Sequence, residues 1–241
     1  MISTNFDNKI IQKMNDQAFQ ELSTQLSEVA KHIPTRWGRI QNNRIDSKIN
    51  MFVYERYDEL DRAISNLEES IQIYYRRRWF LWKCAQCDEY IFYQHEGVCK
   101  NPNFKDSDWD IELFGNPEWR FDLKSTLIPK EFRSTEEEPK LTPKSSDLIN
   151  FYYNQQSQGV RFGNQNRLFL VHNPIQESSE NIFRVRFEDK KKAIDTYLET
   201  IKAKPSYRFF QFKSALSDVL FINESTSGDI IARIGSHILN C

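Results

Sequence analysis

No stretch of this 241-residue chain approaches the roughly 18 to 20 apolar residues needed to cross a bilayer, and MISTNFDNKIIQKMNDQ lacks the apolar segment of a signal peptide. These absences exclude a transmembrane helix of ordinary length and give the expectation of a cytoplasmic protein with no membrane partner. Cysteine is scarce as well. Four residues do not form a recognisable disulfide framework in a chain long enough to bury its own core, which agrees with a reducing compartment. The segment QGVRFG, with Gly159 and Gly163, matches neither a GxGxxG nor a Walker pattern, so nucleotide binding is not supported. A formal net charge of −1 offers no overall basic excess for a polyanion.

Aromatic residues are abundant at 14% of the chain, including 18 Phe and 10 Tyr, and exclude a disordered polymer. Charge is also unevenly distributed. Residues 106 to 149 carry 6 Lys/Arg against 11 Asp/Glu, whereas residues 31 to 105 carry 13 against 10 and residues 150 to 241 carry 12 against 9. An acidic centre between mildly basic flanks suits a divalent ion with phosphates around it; a randomly charged surface explains the same counts.

Apolar spacing predicts one or two helices over residues 7 to 33, ending at Pro34, and another from Ile49 to about Ile73. The aromatic run IQIYYRRRWFLWKC reads as strand, or as a helix end entering a strand. Its Arg76, Arg77 and Arg78 suit either phosphate contact or a solvated helix end. Residues 84 to 108 read as a polar excursion before a sheet. WDIELF, a turn at GNPEW and RFDLKSTLI then form a hairpin. A loop rich in proline and charge leads to a helix from Asp147 to about Ser157, capped by Ser145 or Ser146. RLFLVHN reads as a strand, EDKKKAIDTYLETIKAK as a helix, and VLFINES and DIIARI as short terminal segments. No internal repeat or strong linker is visible. The expectation is one domain over 1–241, with a helical region at 1–48 and a Cys/His insertion at 84–105.

The hairpin carries the chemistry. Strand periodicity puts Asp122 and Lys124 on one face with Leu123 opposite, and Asp110 opens the partner strand, where its carboxylate can meet that of Asp122. Adjacent carboxylates repel unless a cation joins them, and Mg²⁺ is a hard ion that takes oxygen ligands. Asp110, Asp122 and the Leu123 backbone carbonyl are therefore candidate metal ligands. Lys124 is the candidate to orient water or hold phosphate. Glu112 is an alternative ligand by strand parity. The competing explanation is a surface Asp–Lys pair with an unrelated aspartate.

This arrangement resembles the PD-(D/E)XK nuclease superfamily, the fold of many type II restriction endonucleases. Asp110 matches the first acid, Asp122 the second and Lys124 the lysine; Trp109 stands where the family usually has proline. The resemblance covers roughly residues 50 to 175. It implies an α/β fold with a restriction-endonuclease-like core, a central mixed β-sheet flanked by helices. It also implies a further acid from a helix before the sheet, for which Glu59 is the choice, with Glu55 one turn away. Gln155, Gln156, Arg161 and Arg167, in the segment after the motif, are candidates for site support or DNA contact.

The implied activity is Mg²⁺-dependent hydrolysis of double-stranded DNA, with sequence-specific type II restriction favoured. The alternatives are a repair, phage or mobile-element nuclease, or a catalytically inactive nucleic-acid-binding protein of the same fold. Cutting both strands with one site per chain calls for a homodimer. Separately, Cys84, Cys87, His95 and Cys99 place four soft or borderline ligands within 16 residues, a candidate structural Zn²⁺ set whose alternative is buried thiols.

Overall fold

A computed structural model describes residues 14–37, 43–103, 108–133, 143–155, 165–204, 206–225, 227–234 and 237–238. The chain forms two compact units. One takes the described parts of Met1–Tyr90 with Gln176–Arg186, and the other those of Ile91–Ile175 with Phe187–Cys241. Among the described residues, no helix is long and apolar enough to cross a membrane.

The first unit is helical. Helix α1 spans Asp16–Val29; Asn15 caps it by accepting the Ala18 amide at 2.9 Å, satisfying one of the amides a helix start leaves unpaired. Short helix α2, Asn43–Asp46, and a 3-10 turn at Met51–Val53 precede α3, Tyr57–Ile64. Helix α4 spans Glu69–Tyr93, and its last three residues belong to the second unit. It runs through the whole of IQIYYRRRWFLWKC, in place of the strand or the helix end entering a strand expected there, and absorbs the first part of the expected polar excursion. The reason is burial on more than one side. Ile71, Tyr75 and Trp79 follow one helical row while Arg77, Phe80, Cys84, Cys87 and Ile91 follow another, and all are buried. Two rows erase the single apolar stripe that betrays a surface helix.

The three consecutive arginines of α4 meet carboxylates of their own unit. Arg76 Nε lies 2.7 Å from Asp61, Arg77 Nη2 lies 2.8 Å from Glu180, and Arg78 pairs with Asp46. Arg77 also donates to the Pro34 carbonyl at 3.0 Å, and Asn181 of α6, Glu180–Arg184, donates to the Ile33 carbonyl at 2.6 Å. Glu180 accepts from Arg184 as well, at 2.9 Å, making a buried ion triad. These arginines are structural ties rather than a solvated helix end.

The second unit is a mixed sheet with helices on both faces. Its strands are β1 Val98–Lys100, β2 Ile111–Leu113, β3 Arg120–Leu127, β4 Arg167–Asn173, β5 Phe210–Phe212, β6 Ala215–Glu224, β7 Ile230–Ile234 and β8 His237–Ile238. They lie in the order β1-β2-β3-β4-β6-β7-β8, with β5 also paired to β6. Strands β1 to β3 form an antiparallel meander, and β3, β4 and β6 run parallel. Parallel neighbours need a crossover. Helix α5, Ser145–Asn154, supplies it between β3 and β4. It starts at Ser145 with Lys144 as its cap residue, two residues before the start read from the sequence.

Phe169 and Val171 of β4 and Val219 and Phe221 of β6 share one face of the sheet. There they pack with Leu148, Ile149, Tyr152 and Tyr153 of α5. Each such buried side chain contributes about 1.5–3 kcal/mol of transfer free energy. On the opposite face, Tyr197 of α7, Phe187–Ala203, hydrogen-bonds Asp218 of β6 at 2.9 Å. Strand β4 is buried from Arg167 to His172, which is why its centre, Leu168 to Val171, is apolar at every position instead of alternating.

Candidate active site

The β2–β3 hairpin forms as its sequence suggests, with turn residues Phe114 and Gly115 both at positive φ. Gly115 takes φ +67 without cost because it lacks a Cβ. Asp110 stands directly before β2, and its amide donates to the Phe121 carbonyl at 2.8 Å, anchoring it against β3. Its Oδ2 accepts the Leu123 amide at 2.7 Å. A strand residue's N–H and C=O point to the same side, so the Leu123 carbonyl also faces the Asp110 side of β3. That carbonyl lies beyond the last β2–β3 register pair, Ile111 with Phe121.

Asp122 and Lys124 share a face of β3, and Lys124 Nζ contacts Asp122 Oδ1 directly. Asp122 is buried while the Lys124 side chain is 35% exposed, so the ammonium reaches toward solvent from a buried carboxylate. The Asp122 carboxylate acts on that of Asp110 across the hairpin. Burial first, and the Asp122 charge second, push the Asp110 carboxyl up to about 7, against the opposing pull of Lys124 and the Leu123 amide. Two carboxylates crowded in this way attract a cation, and the Leu123 carbonyl adds a third oxygen on the Asp110 side. This donor set is all oxygen and suits Mg²⁺, which commonly takes one or two carboxylates and completes its shell with water and phosphate. Among the described residues, no group of three or more His, Cys, Asp or Glu could hold a metal ion, so the candidate centre rests on two side chains and one backbone oxygen.

Arg167 is the fourth charged residue of the cluster. It opens β4 as the direct register partner of Asp122. Its Nε lies 3.3 Å from Asp122 Oδ2, near enough to pair but not aligned as a hydrogen bond. Nη2 donates to Gln165 Oε1 at 3.3 Å, and the guanidinium stacks 5.2 Å above the Tyr153 ring of α5. Tyr153 is fixed in turn by donating to the Gln165 carbonyl at 2.7 Å. Neither Tyr153 nor Gln165 is singled out by the sequence, because their roles depend on the β3–β4 register.

Glu59 belongs to the first unit, where its carboxylate accepts the Arg56 amide at 3.3 Å and caps α3. Glu112 is paired with Arg120 at 2.7 Å, and Arg120 lies 4.6 Å over the Trp109 ring. Gln155 is exposed at the end of α5. Gln156 and Arg161 lie outside the described residues.

The four soft ligands also have distinct settings. Cys84 and Cys87 are buried on α4, and Cys99 is exposed on β1. His95 Nε2 lies 3.1 Å from Glu199, and its Nδ1 accepts the Gly97 amide at 3.0 Å. Both ring nitrogens of His95 are therefore engaged.

Compared with known proteins, the chain matches no family model, no curated protein and no solved structure.

Proposed function

We propose that this chain is a metal-dependent deoxyribonuclease that hydrolyses phosphodiester bonds of double-stranded DNA, with a restriction-endonuclease-like core. The observation that carries the reading is the meeting of the Asp110 carboxyl with the Asp122-Leu123-Lys124 segment across the β2–β3 hairpin. The progression from the β1–β3 meander through α5 to parallel β4 supports it, since the PD-(D/E)XK resemblance implies the same helix and strand after the motif.

Asp110, Asp122 and the Leu123 carbonyl would hold Mg²⁺. When bound, the ion supplies the positive charge that polarises a phosphodiester and increases the acidity of nearby water. Asp122 anchors Lys124, whose part-exposed side chain can bind phosphate or orient the attacking water. In the overall hydrolysis the water oxygen joins phosphorus, one P–O ester bond breaks, and the departing oxygen takes a proton. Cutting both strands of a duplex calls for two such sites, which is the reason to expect a homodimer.

Sequence-specific type II restriction is the favoured form. The purified chain is to be incubated with plasmid and phage DNA in Mg²⁺, with an EDTA control, and the products mapped. Discrete Mg²⁺-dependent fragments from intact duplex support restriction. Cutting confined to ends, nicks or branches supports a repair, phage or mobile-element role. Binding without cleavage supports a catalytically inactive relative.

A further inference from the structure

From the geometry around Arg167 we infer that its guanidinium is the phosphate-binding donor of this site: Nη1 takes a non-bridging oxygen of the phosphodiester while Nε remains beside Asp122. The inference rests on the nuclease reading and adds to it the group that recognises the substrate's anion.

Three observations carry it. Arg167 is fixed in position by its register pairing with Asp122, its bond to Gln165 and its stacking on Tyr153, so little side-chain freedom remains to be lost when an anion binds. Its side chain is only 5% exposed, yet Nη1 has no hydrogen-bond partner among the described residues. A buried N–H of a charged group requires an acceptor, and the strongest for a guanidinium is an oxyanion.

The third observation is orientation. A guanidinium serving only to neutralise Asp122 gains most by presenting two parallel N–H groups to that carboxylate. Here only Nε is near, and it is misaligned, while Asp122 Oδ1 is already engaged by Lys124. Arg167 therefore keeps a donor in reserve beside the two carboxylates. Lys124 offers a point charge on a flexible stem, whereas Arg167 offers a donor already held in place beside the carboxylates.

The test measures binding to a duplex oligonucleotide by fluorescence anisotropy in EDTA, at several salt concentrations, for the wild type, Arg167→Gln and Arg167→Lys. Inorganic phosphate is titrated alongside as a competitor. Arg167→Gln is expected to weaken duplex binding at least fivefold, to reduce the slope of log affinity against log salt by about 0.9, and to abolish competition by phosphate. Arg167→Lys keeps the charge and is expected to preserve the salt slope while still losing at least threefold in affinity, so it carries the test if Arg167→Gln melts early. Unchanged affinity and slope in folded Arg167→Gln, or equal phosphate competition in wild type and variant, overturns the inference. Failure of the wild type to cleave DNA would count against the nuclease reading alone, because none of these binding measurements depends on cleavage.

Discussion

Asp122 and Arg167, 45 positions apart in sequence, are direct register partners across the parallel pair β3–β4, with Arg167 Nε 3.3 Å from Asp122 Oδ2. Lys124 reaches the other oxygen of the same carboxylate. Asp122 is thus held between two cations, one buried and one part-exposed, with Asp110 beside it. This fixes how the cluster should respond to substitution.

Lys124→Ala removes the part-exposed cation and leaves the framework of Asp110, Asp122 and Arg167. A group that positions water or stabilises developing charge typically contributes about 10²- to 10⁴-fold. The variant is expected to lose Mg²⁺-dependent cleavage by that order while melting within a few degrees of wild type. Single-turnover cleavage and circular dichroism measure the two properties separately.

Mg²⁺ should stabilise the folded protein because the carboxylate pair exists only when the hairpin is formed. At a concentration 100 times its dissociation constant, a ligand specific for the folded state contributes about 2.7 kcal/mol. Thermal unfolding with and without Mg²⁺ is expected to show an increase that Asp122→Asn removes. An equal increase in the variant would place the ion elsewhere.

The hairpin and the meeting of its charged side chains are legible from the sequence because both are local. Period-two spacing brings Asp122 and Lys124 to one face, and a short turn returns the chain from Asp110. RLFLVHN is legible as β4 because it is buried on both faces. Arg167 is not separable from Gln155, Gln156 and Arg161 by sequence, since its importance arises from a parallel register set by the α5 crossover. Helix α4 is obscured for a different reason: buried residues on two rows leave no single period to read. Glu59 has the composition of a helix acid, but its carboxylate serves its own helix start, a local alternative that any glutamate three residues into a helix can adopt.

Asp218 gives the metal-free protein a specific pH dependence. Burial raises its carboxyl from 3.8 to about 6, against the opposing hydrogen bonds from Tyr207, the Val219 amide and Tyr197. A folded-state value above the unfolded one means that the folded protein holds the proton more tightly. The associated stability is complete below about pH 4 and is lost as the pH rises through 6, amounting to about 3 kcal/mol across the window. Denaturant unfolding in EDTA from pH 4 to 8 should show this decline superimposed on other groups, and Asp218→Asn should flatten it. An unchanged slope in the variant would remove Asp218 as the cause.

The buried triad of Arg77, Glu180 and Arg184 makes a separate prediction for the helical unit. Side-chain exposures are 4% for Arg77, 2% for Glu180 and 6% for Arg184, so losing the shared carboxylate leaves two guanidinium groups without their buried counterion. Breaking such an arrangement costs about 3–5 kcal/mol. Glu180→Gln is expected to lower unfolding stability by that order in denaturant titration, whereas Asp58→Asn, at an exposed and solvent-screened pair, should leave it nearly unchanged.

If Asp110, Asp122 and Lys124 form one hydrolytic site, loss of any one of them abolishes cleavage. The most direct test is the rate of plasmid cleavage in Mg²⁺ by the wild type, Asp110→Asn, Asp122→Asn and Lys124→Ala, each shown to be folded, with EDTA controls. Discrete, EDTA-sensitive cleavage is expected of the wild type, with near-complete loss in all three variants. Cleavage that survives in folded Asp110→Asn or Asp122→Asn, or a wild type inert toward every duplex substrate, would contradict a single hydrolytic site.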